Sequence, residues 1–229
     1  MSFAGVRLQS LAAINGSTFQ RCDFRGISVD EVAFGAGGAR CEYHECVFDG
    51  ARLGWVKPGL ARFVRCSFRN VRVRDWRAGA LDLVDCVFSG RIDRGVISGS
   101  VPTADRIAAG RHHNQVEGND FRGLTMPRLE FTGGVDLTRQ HLPTHAHALY
   151  VPDVDAALKV ADAALSECPS GLRPGVRRRL ERLRRLRASG QQQAWLSSAR
   201  FVAADPAAAR WLAELWRREL IGFSSSLTG

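Results

Sequence analysis

Apolar side chains across positions 1–140 return at an interval that neither an α-helix nor an ordinary strand produces. Between positions 43 and 88 the series runs Tyr43, Phe48, Leu53, Pro58, Phe63, Phe68, Val73, Ala78, Leu83 and Phe88, one every five positions. Two positions before each lies a second series: Cys41, Cys46, Ala51, Val56, Ala61, Cys66, Val71, Trp76, Leu81 and Cys86. A helix spaces apolar positions at 3.6 and a strand at 2, so a period of five needs another geometry. Cys46, Cys66 and Cys86 recur at every twentieth position, and repeats of this length are the mark of a solenoid. Four five-residue sides to each coil describe a square, each side a short extended stretch and a turn. Coils stacked as parallel strands, about 4.8 Å apart, satisfy one another's backbone hydrogen bonds.

Read as columns, one face stacks Phe24, Phe48, Phe68 and Phe88, with Cys22, Cys46, Cys66 and Cys86 beside them. The other faces stack Phe19, Tyr43, Phe63 and Leu83; Val29, Leu53 and Val73; and Phe34, Pro58 and Ala78. The first coil needs a four-residue slip to join, and the Gly-rich segment at residues 35–38 is the cheapest place for it. Outward positions supply an independent check. Arg21, Glu45, Arg65 and Asp85 alternate in sign, as do Arg25, Asp49 and Arg69, and Glu42, Arg62 and Asp82. Opposite charges across a ladder are favourable.

The units "CDFRG", "CVFDG", "ARLGW", "CSFRN", "VRVRD", "LDLVD", "CVFSG" and "NDFRG" resemble those of the pentapeptide-repeat family over residues 15–95 and again over 117–137. Asn119/Phe121, Leu124/Met126 and Leu129/Phe131 restore the pattern in the second stretch. The resemblance implies a right-handed quadrilateral β-helix. Pro58, Trp76 and Ala78 depart from the preferred residue types, so a bulge is expected on their face. Family members are known to engage type II topoisomerases by imitating DNA with an acidic rod. Residues 1–140 carry 19 basic against 15 acidic side chains, or +4, which argues against carrying that activity over directly.

From Phe88 to Phe121 is a step of thirty-three, which leaves an insertion of about a dozen residues within 91–116. Arg94, Arg106, Arg111, His112 and His113 cluster there, and long loops on rigid scaffolds often carry binding function. A plain surface excursion is the alternative. After Leu137 the period stops. Residues 141–150 read as a linker, and 151–229 as a helical domain with four amphipathic segments. Asp153 or Asp155 caps the first, which runs to about Cys168. "RPGVRRRLERLRRLR" forms the second, with Val176, Leu180, Leu183 and Leu186 inward. The third spans Gln192–Ala203. The fourth opens on Asp205 and Pro206 and buries Trp211, Leu212, Leu215, Trp216 and Leu220. The expected architecture is thus mainly β with an α-helical C-terminal part, the bundle capping the open solenoid end.

Composition narrows the function. Net charge is +9, and Arg supplies nearly all of the 32 basic side chains, Lys57 and Lys159 being the rarities. No apolar run reaches membrane-spanning length, and the N-terminus lacks the pattern of a secretory signal, so a cytoplasmic protein with six reduced thiols is expected. The repeated cysteines are expected to be small inward fillers rather than metal or redox groups, because zinc ligands must converge on a point. His141, His145 and His147 form the one tight histidine cluster, read as ordinary linker with metal binding as the alternative. Neither a phosphate loop nor a nucleophile elbow occurs in the sequence. The expectation is a non-enzymatic scaffold with no catalytic residues, metal or cofactor, which binds a protein partner and no membrane. A homodimer through the helical end stays open. The alternative is nucleic-acid binding through the helix at 173–187, where Arg177, Arg178, Arg182 and Arg185 lead the candidates.

Overall fold

The structure, a computed structural model, describes residues 1–143, 148–197, 201 and 205–225. It is mainly β: a β-solenoid of about four turns built from stacked parallel strands, followed by a part that contains the longer helices. The chain divides into two compact units, Met1–Glu130 with Thr138–Pro143, and Phe131–Leu137 with Thr144–Gly229.

In the first unit, one sheet stacks β1 (Arg7–Ile14), β3 (Ser28–Ala36), β5 (Arg52–Lys57) and β7 (Ser67–Trp76), continued by β9 (Val87–Ile92) and β10 (Gly95–Ser98). A second stacks β2 (Thr18–Gln20), β4 (Cys41–His44), β6 (Ala61–Val64), β8 (Leu81–Val84) and β11 (Val116–Glu117). Strands β12 (Asp120–Thr125) and β13 (Leu129–Thr132) extend the first sheet beyond β9 and β10. The register agrees with the five-residue reading. Phe19, Tyr43, Phe63 and Leu83 lie directly opposite one another, as do Val29, Leu53 and Val73.

The offset between paired strands falls from twenty-four at Ala33↔Lys57 to twenty at Cys41↔Ala61. The four-residue slip is therefore absorbed between 33 and 41, where Gly37 takes a φ of 88°. A second slip was not legible in the sequence. Phe68 faces Phe88, but Val71 faces Gly90, so β9 is one residue short of the regular spacing. Asn70 (φ 55°) and Gly90 (φ 96°) accommodate the shift, and the Asn70 N–H donates to Ser89 Oγ at 2.8 Å.

The core is a stack of aromatic rings. Phe24, Phe48, Phe68 and Phe88 lie with their ring planes nearly parallel at centroid separations of 4.6, 4.7 and 4.8 Å. Phe3 extends the column at one end at 4.9 Å, and Phe121 at the other at 5.0 Å. Tyr43 joins the adjacent column, and its hydroxyl donates to Phe34 O at 2.9 Å. The expectation for Ala78 is corrected: it is exposed. Trp76, 1% exposed and edge-on to Phe68 and Phe88, occupies the interior instead. So large a ring in the position normally given to a small residue ends the strand, and the next two residues, Arg77 and Ala78, run outside the core.

In the second unit, β14 (Ala148–Val151) pairs antiparallel with β15 (Ala194–Ser197) and β16 (Ser224–Ser225). Two expectations change here. The last three residues of the stretch read as a linker, 148–150, and the first of the expected helical domain form a strand, with Leu149 and Val151 buried. The first part of the helix expected over Gln192–Ala203 is instead β15, because Ala194 and Leu196 complete a sheet face against the helices; Phe201 is helical, and residues 198–200 and 202–203 lie outside the described residues. The short helix α1 (Arg106–Ala109) belongs to the first unit; α2 (Val154–Ala163), α3 (Arg173–Ala188) and α4 (Pro206–Glu219) belong to the second. Asp153 caps α2 by accepting from Ala156 N at 2.9 Å, and Asp205 caps α4 by accepting from Ala208 N at 3.0 Å. Val176, Leu180, Leu183 and Leu186 of α3 are buried together with Leu212, Leu215 and Trp216 of α4.

Candidate binding surfaces

The excursion from the solenoid is fastened by its own polar side chains. Gly95 faces Trp76, so the stretch from 95 to 98 still belongs to the stack. The chain then leaves, and Val101 packs on Leu60 and Ala80. Arg111 returns its guanidinium to Asp82, which is 1% exposed, and donates to Ala80 O at 3.1 Å. Asn114 Nδ2 donates to Gly79 O and Ser98 O at 2.9 Å each, and Gln115 N to Asp82 Oδ1 at 2.7 Å. Arg106 Nε donates to Val101 O at 3.2 Å. Arg94 pairs with Asp75 at 3.2 Å and lies 5.0 Å over the Trp55 ring. The three arginines of this cluster are thus engaged within the molecule, and a buried carboxylate left unpaired by their loss is costly. His112 and His113 are exposed.

The excursion closes on Asn119. Fully buried, it takes the column position after Cys86, accepts from Cys86 N at 3.0 Å and donates to Leu83 O at 2.9 Å and Gln140 Oε1 at 3.1 Å. These bonds add to the backbone pairing on either side, where Asp85 N donates to Glu117 O at 3.0 Å and Asp120 N to Cys86 O at 2.8 Å.

Helix α3 divides its arginines by role. Arg179 is 5% exposed and donates to three carbonyls, Phe201 O and Asp205 O at 2.7 Å and Gly175 O at 2.9 Å. Burial lowers its pKa from the ordinary arginine value, with Asp205 opposing the shift. Arg184 pairs with Asp162 at 2.7 Å, and Arg187 pairs with Asp155. Arg182 is half-buried. Arg177, Arg178 and Arg185 are exposed and form no ion pair among the described residues. Arg173 donates to Cys168 O at 2.9 Å and Ser166 O at 2.8 Å, so the eight arginines of the helix do not act as one basic face.

Cys22, Cys46, Cys66 and Cys86 are buried and free, and their thiols donate weakly to backbone carbonyls at 3.3–3.6 Å. Cys66 gains some thiolate character from Cys46, but Cys86 and burial override it and push its pKa up to about 12. Such thiols are inert at neutral pH. His141 is exposed; His145 and His147 lie outside the described residues. Among the described residues, no group of three His, Cys, Asp or Glu is placed to hold a metal ion, and no helix is long and apolar enough to cross a membrane.

The charge columns are more varied than simple alternation. Glu45 and Arg65 pair at 2.9 Å as their register implies. Glu42, Arg62 and Asp82 are also in register, yet Arg40 pairs with Glu42 at 2.9 Å and with Asp82 at 3.4 Å, while Arg62 Nε has no hydrogen-bond partner among the described residues.

One column repeats a single sign. Arg52 faces Arg72, and Arg72 faces Arg91. Arg74 stands two positions beyond Arg72 on the same outward side of β7, and all four are exposed. Arg91 pairs with Asp93 at 2.5 Å, but Arg52, Arg72 and Arg74 form no ion pair among the described residues. They line a shallow open groove of about 710 Å³, shared with Asp30, Gly54, Asn70 and Asp93. Gly54 forms its floor: a Cβ there would run into the Asp30 carbonyl oxygen, so the position is closed to any side chain. The signal for this face was present in the five-residue frame, which places Arg52 and Arg72 in one column. Arg91 joins only through the one-residue slip at Asn70.

Comparison with protein-family models gives no match, and neither do comparisons with curated proteins and with solved structures.

Proposed function

We propose that the chain is a non-catalytic binding scaffold of the pentapeptide-repeat type, a right-handed four-sided β-solenoid that presents fixed outer side chains to a macromolecular partner. The observation that carries this reading is the unbroken aromatic column from Phe3 to Phe121, which fills the interior with the protein's own side chains. Ligands are then left with the outside. There, in-register strands hold side chains at a constant pitch, and a rigid surface loses little entropy on binding. Basic side chains dominate the groove, so imitation of DNA, which needs an acidic rod, is not favoured. Added to a type II topoisomerase supercoiling reaction, the protein is expected to leave the rate unchanged.

The test of the scaffold reading is a crosslinked pull-down from the native host, with a variant that reverses the outer charges as control. A partner recovered reproducibly with the native chain and lost with the variant supports it. Recovery of nothing that depends on the outer face removes it.

A further inference from the structure

We propose that the Arg52–Arg72–Arg91 ladder, with Arg74 beside it, binds the phosphate backbone of a nucleic acid. The inference rests on the scaffold reading and names the partner class for one face. Elsewhere on the solenoid, columns of charge alternate in sign or recruit a neighbour: Arg65 pairs with Glu45, and Arg40 and Arg111 converge on Asp82. Here three arginines stand directly opposite one another across the ladder. Like charges in that arrangement repel, and Asp93 answers Arg91 alone among them. A face kept basic against its own stability points to an anion that is not part of the chain.

The geometry selects the class of anion. Strands about 4.8 Å apart put the outer two of three stacked cations on the order of 10 Å from each other, in a groove open to solvent rather than a closed pocket. A compact anion would leave most of that line unsatisfied, whereas a chain carrying a phosphate on every residue meets it along its whole length. Guanidinium groups bind phosphate oxygens in pairs, and arginine is the residue suited to such a contact. The floor at Gly54 lets a backbone lie close to the sheet. Next to Gly54 on β5 is the half-buried Trp55 ring, over which lie the guanidinium groups of Arg77 at 5.4 Å and Arg94 at 5.0 Å, both paired with Asp75. An aromatic beside a line of arginines is an element of a sequence-tolerant nucleic-acid surface. An acidic protein would need carboxylates in line at the same pitch with no basic residue between them. The ladder is also distinct from α3, where Arg179, Arg184 and Arg187 already have partners.

The experiment is fluorescence anisotropy with the full chain and three labelled probes: a single-stranded DNA 20-mer, the same sequence as RNA, and the DNA duplex. Each is titrated between about 50 and about 200 mM salt, the range over which phosphate contacts weaken steeply. The expected result is binding that weakens as salt rises. In the Arg52→Gln/Arg72→Gln/Arg91→Gln variant, affinity for the single strand at the lowest salt should fall about tenfold or more. Its log–log salt slope should become shallower by about 2, at roughly 0.7 for each phosphate no longer neutralised. Arg177→Gln/Arg178→Gln/Arg185→Gln should bind as the native chain does. The relative affinities of the three probes identify which nucleic acid the groove takes. The substituted side chains are exposed, so circular dichroism should be unchanged, and Arg→Lys at the three ladder positions should recover part of the affinity. Binding equal in the ladder variant and the native chain overturns the proposal, as does a loss that appears only in the α3 variant. So does equal affinity for polyglutamate, or no binding at the lowest salt. In each of those outcomes, a protein partner still recovered by pull-down leaves the scaffold standing.

Discussion

Two columns of this solenoid repeat one residue type at the strand spacing, and they have opposite energetic signs. Inside, Phe24, Phe48, Phe68 and Phe88 stack ring on ring, burying apolar surface and gaining ring–ring attraction. Outside, Arg52, Arg72 and Arg91 occupy equivalent positions in register and repel. The inner column explains itself through folding. The outer one does not, and the proposed nucleic-acid partner is what would account for it. In a fold where neighbouring coils place like positions together, a repeated residue is either the cement of the structure or a trace of what the structure meets.

The sharpest way to break this contrast is at the inner column. Phe68→Ala should destabilise the protein by about 3–5 kcal/mol through the cavity it leaves, read from urea unfolding of the full chain. A near-neutral result would remove the packing argument. Asn119→Ala comes next, at about 1–3 kcal/mol, because Cys86 N would lose its acceptor and be left buried and unpaired. A small cost by the same measurement would mean that the excursion, not Asn119, holds the following coil. The outer column should respond in the other direction. Arg72→Gln is expected to stabilise the free protein by about 0.2–1 kcal/mol, visible as a slightly higher thermal midpoint. If it destabilises, the ladder is not under repulsion and the contrast fails.

The smallest effect concerns a balanced charge. The Arg122 hydrogen bonds to Asp120 hold that carboxyl down at about 2. A depressed carboxyl contributes stability that is present above the ordinary aspartate range and is lost as pH falls through about 2. Asp120→Asn should therefore flatten the stability profile between about pH 4 and pH 2, and only modestly, since Arg122 is 65% exposed. An unchanged profile would show that the pair contributes nothing.

The inner columns were legible in the sequence because every inward position must be apolar, so Phe19, Tyr43, Phe63 and Leu83 announce their own register. Ala78 was misjudged because a five-residue frame cannot tell which of two apolar side chains claims the interior. The larger one wins. Strands β14 and β15 were hidden for another reason. Each is too short for alternation to show, and their pairing joins distant parts of the chain, Leu149 with Leu196 and Val151 with Ala194. Arg111 read as a binding candidate because its partner, Asp82, lies well upstream, on the far side of the excursion. The complete arginine ladder was out of reach, since Arg91 enters the column through a slip that only the Asn70 backbone reveals.

That same coil-by-coil spacing bears on how the protein is assembled in time. Through β9, paired positions are 19 to 24 apart, so each new coil can form on the last by closing one short loop. Between Leu83 and Val116 the loop lengthens to thirty-three. The added closure entropy is only about 0.4 kcal/mol, but the chain between must also be ordered before Asn119 can dock. The excursion thus acts as a seam in the folding order, with a rod on one side that can form before the coil on the other is committed.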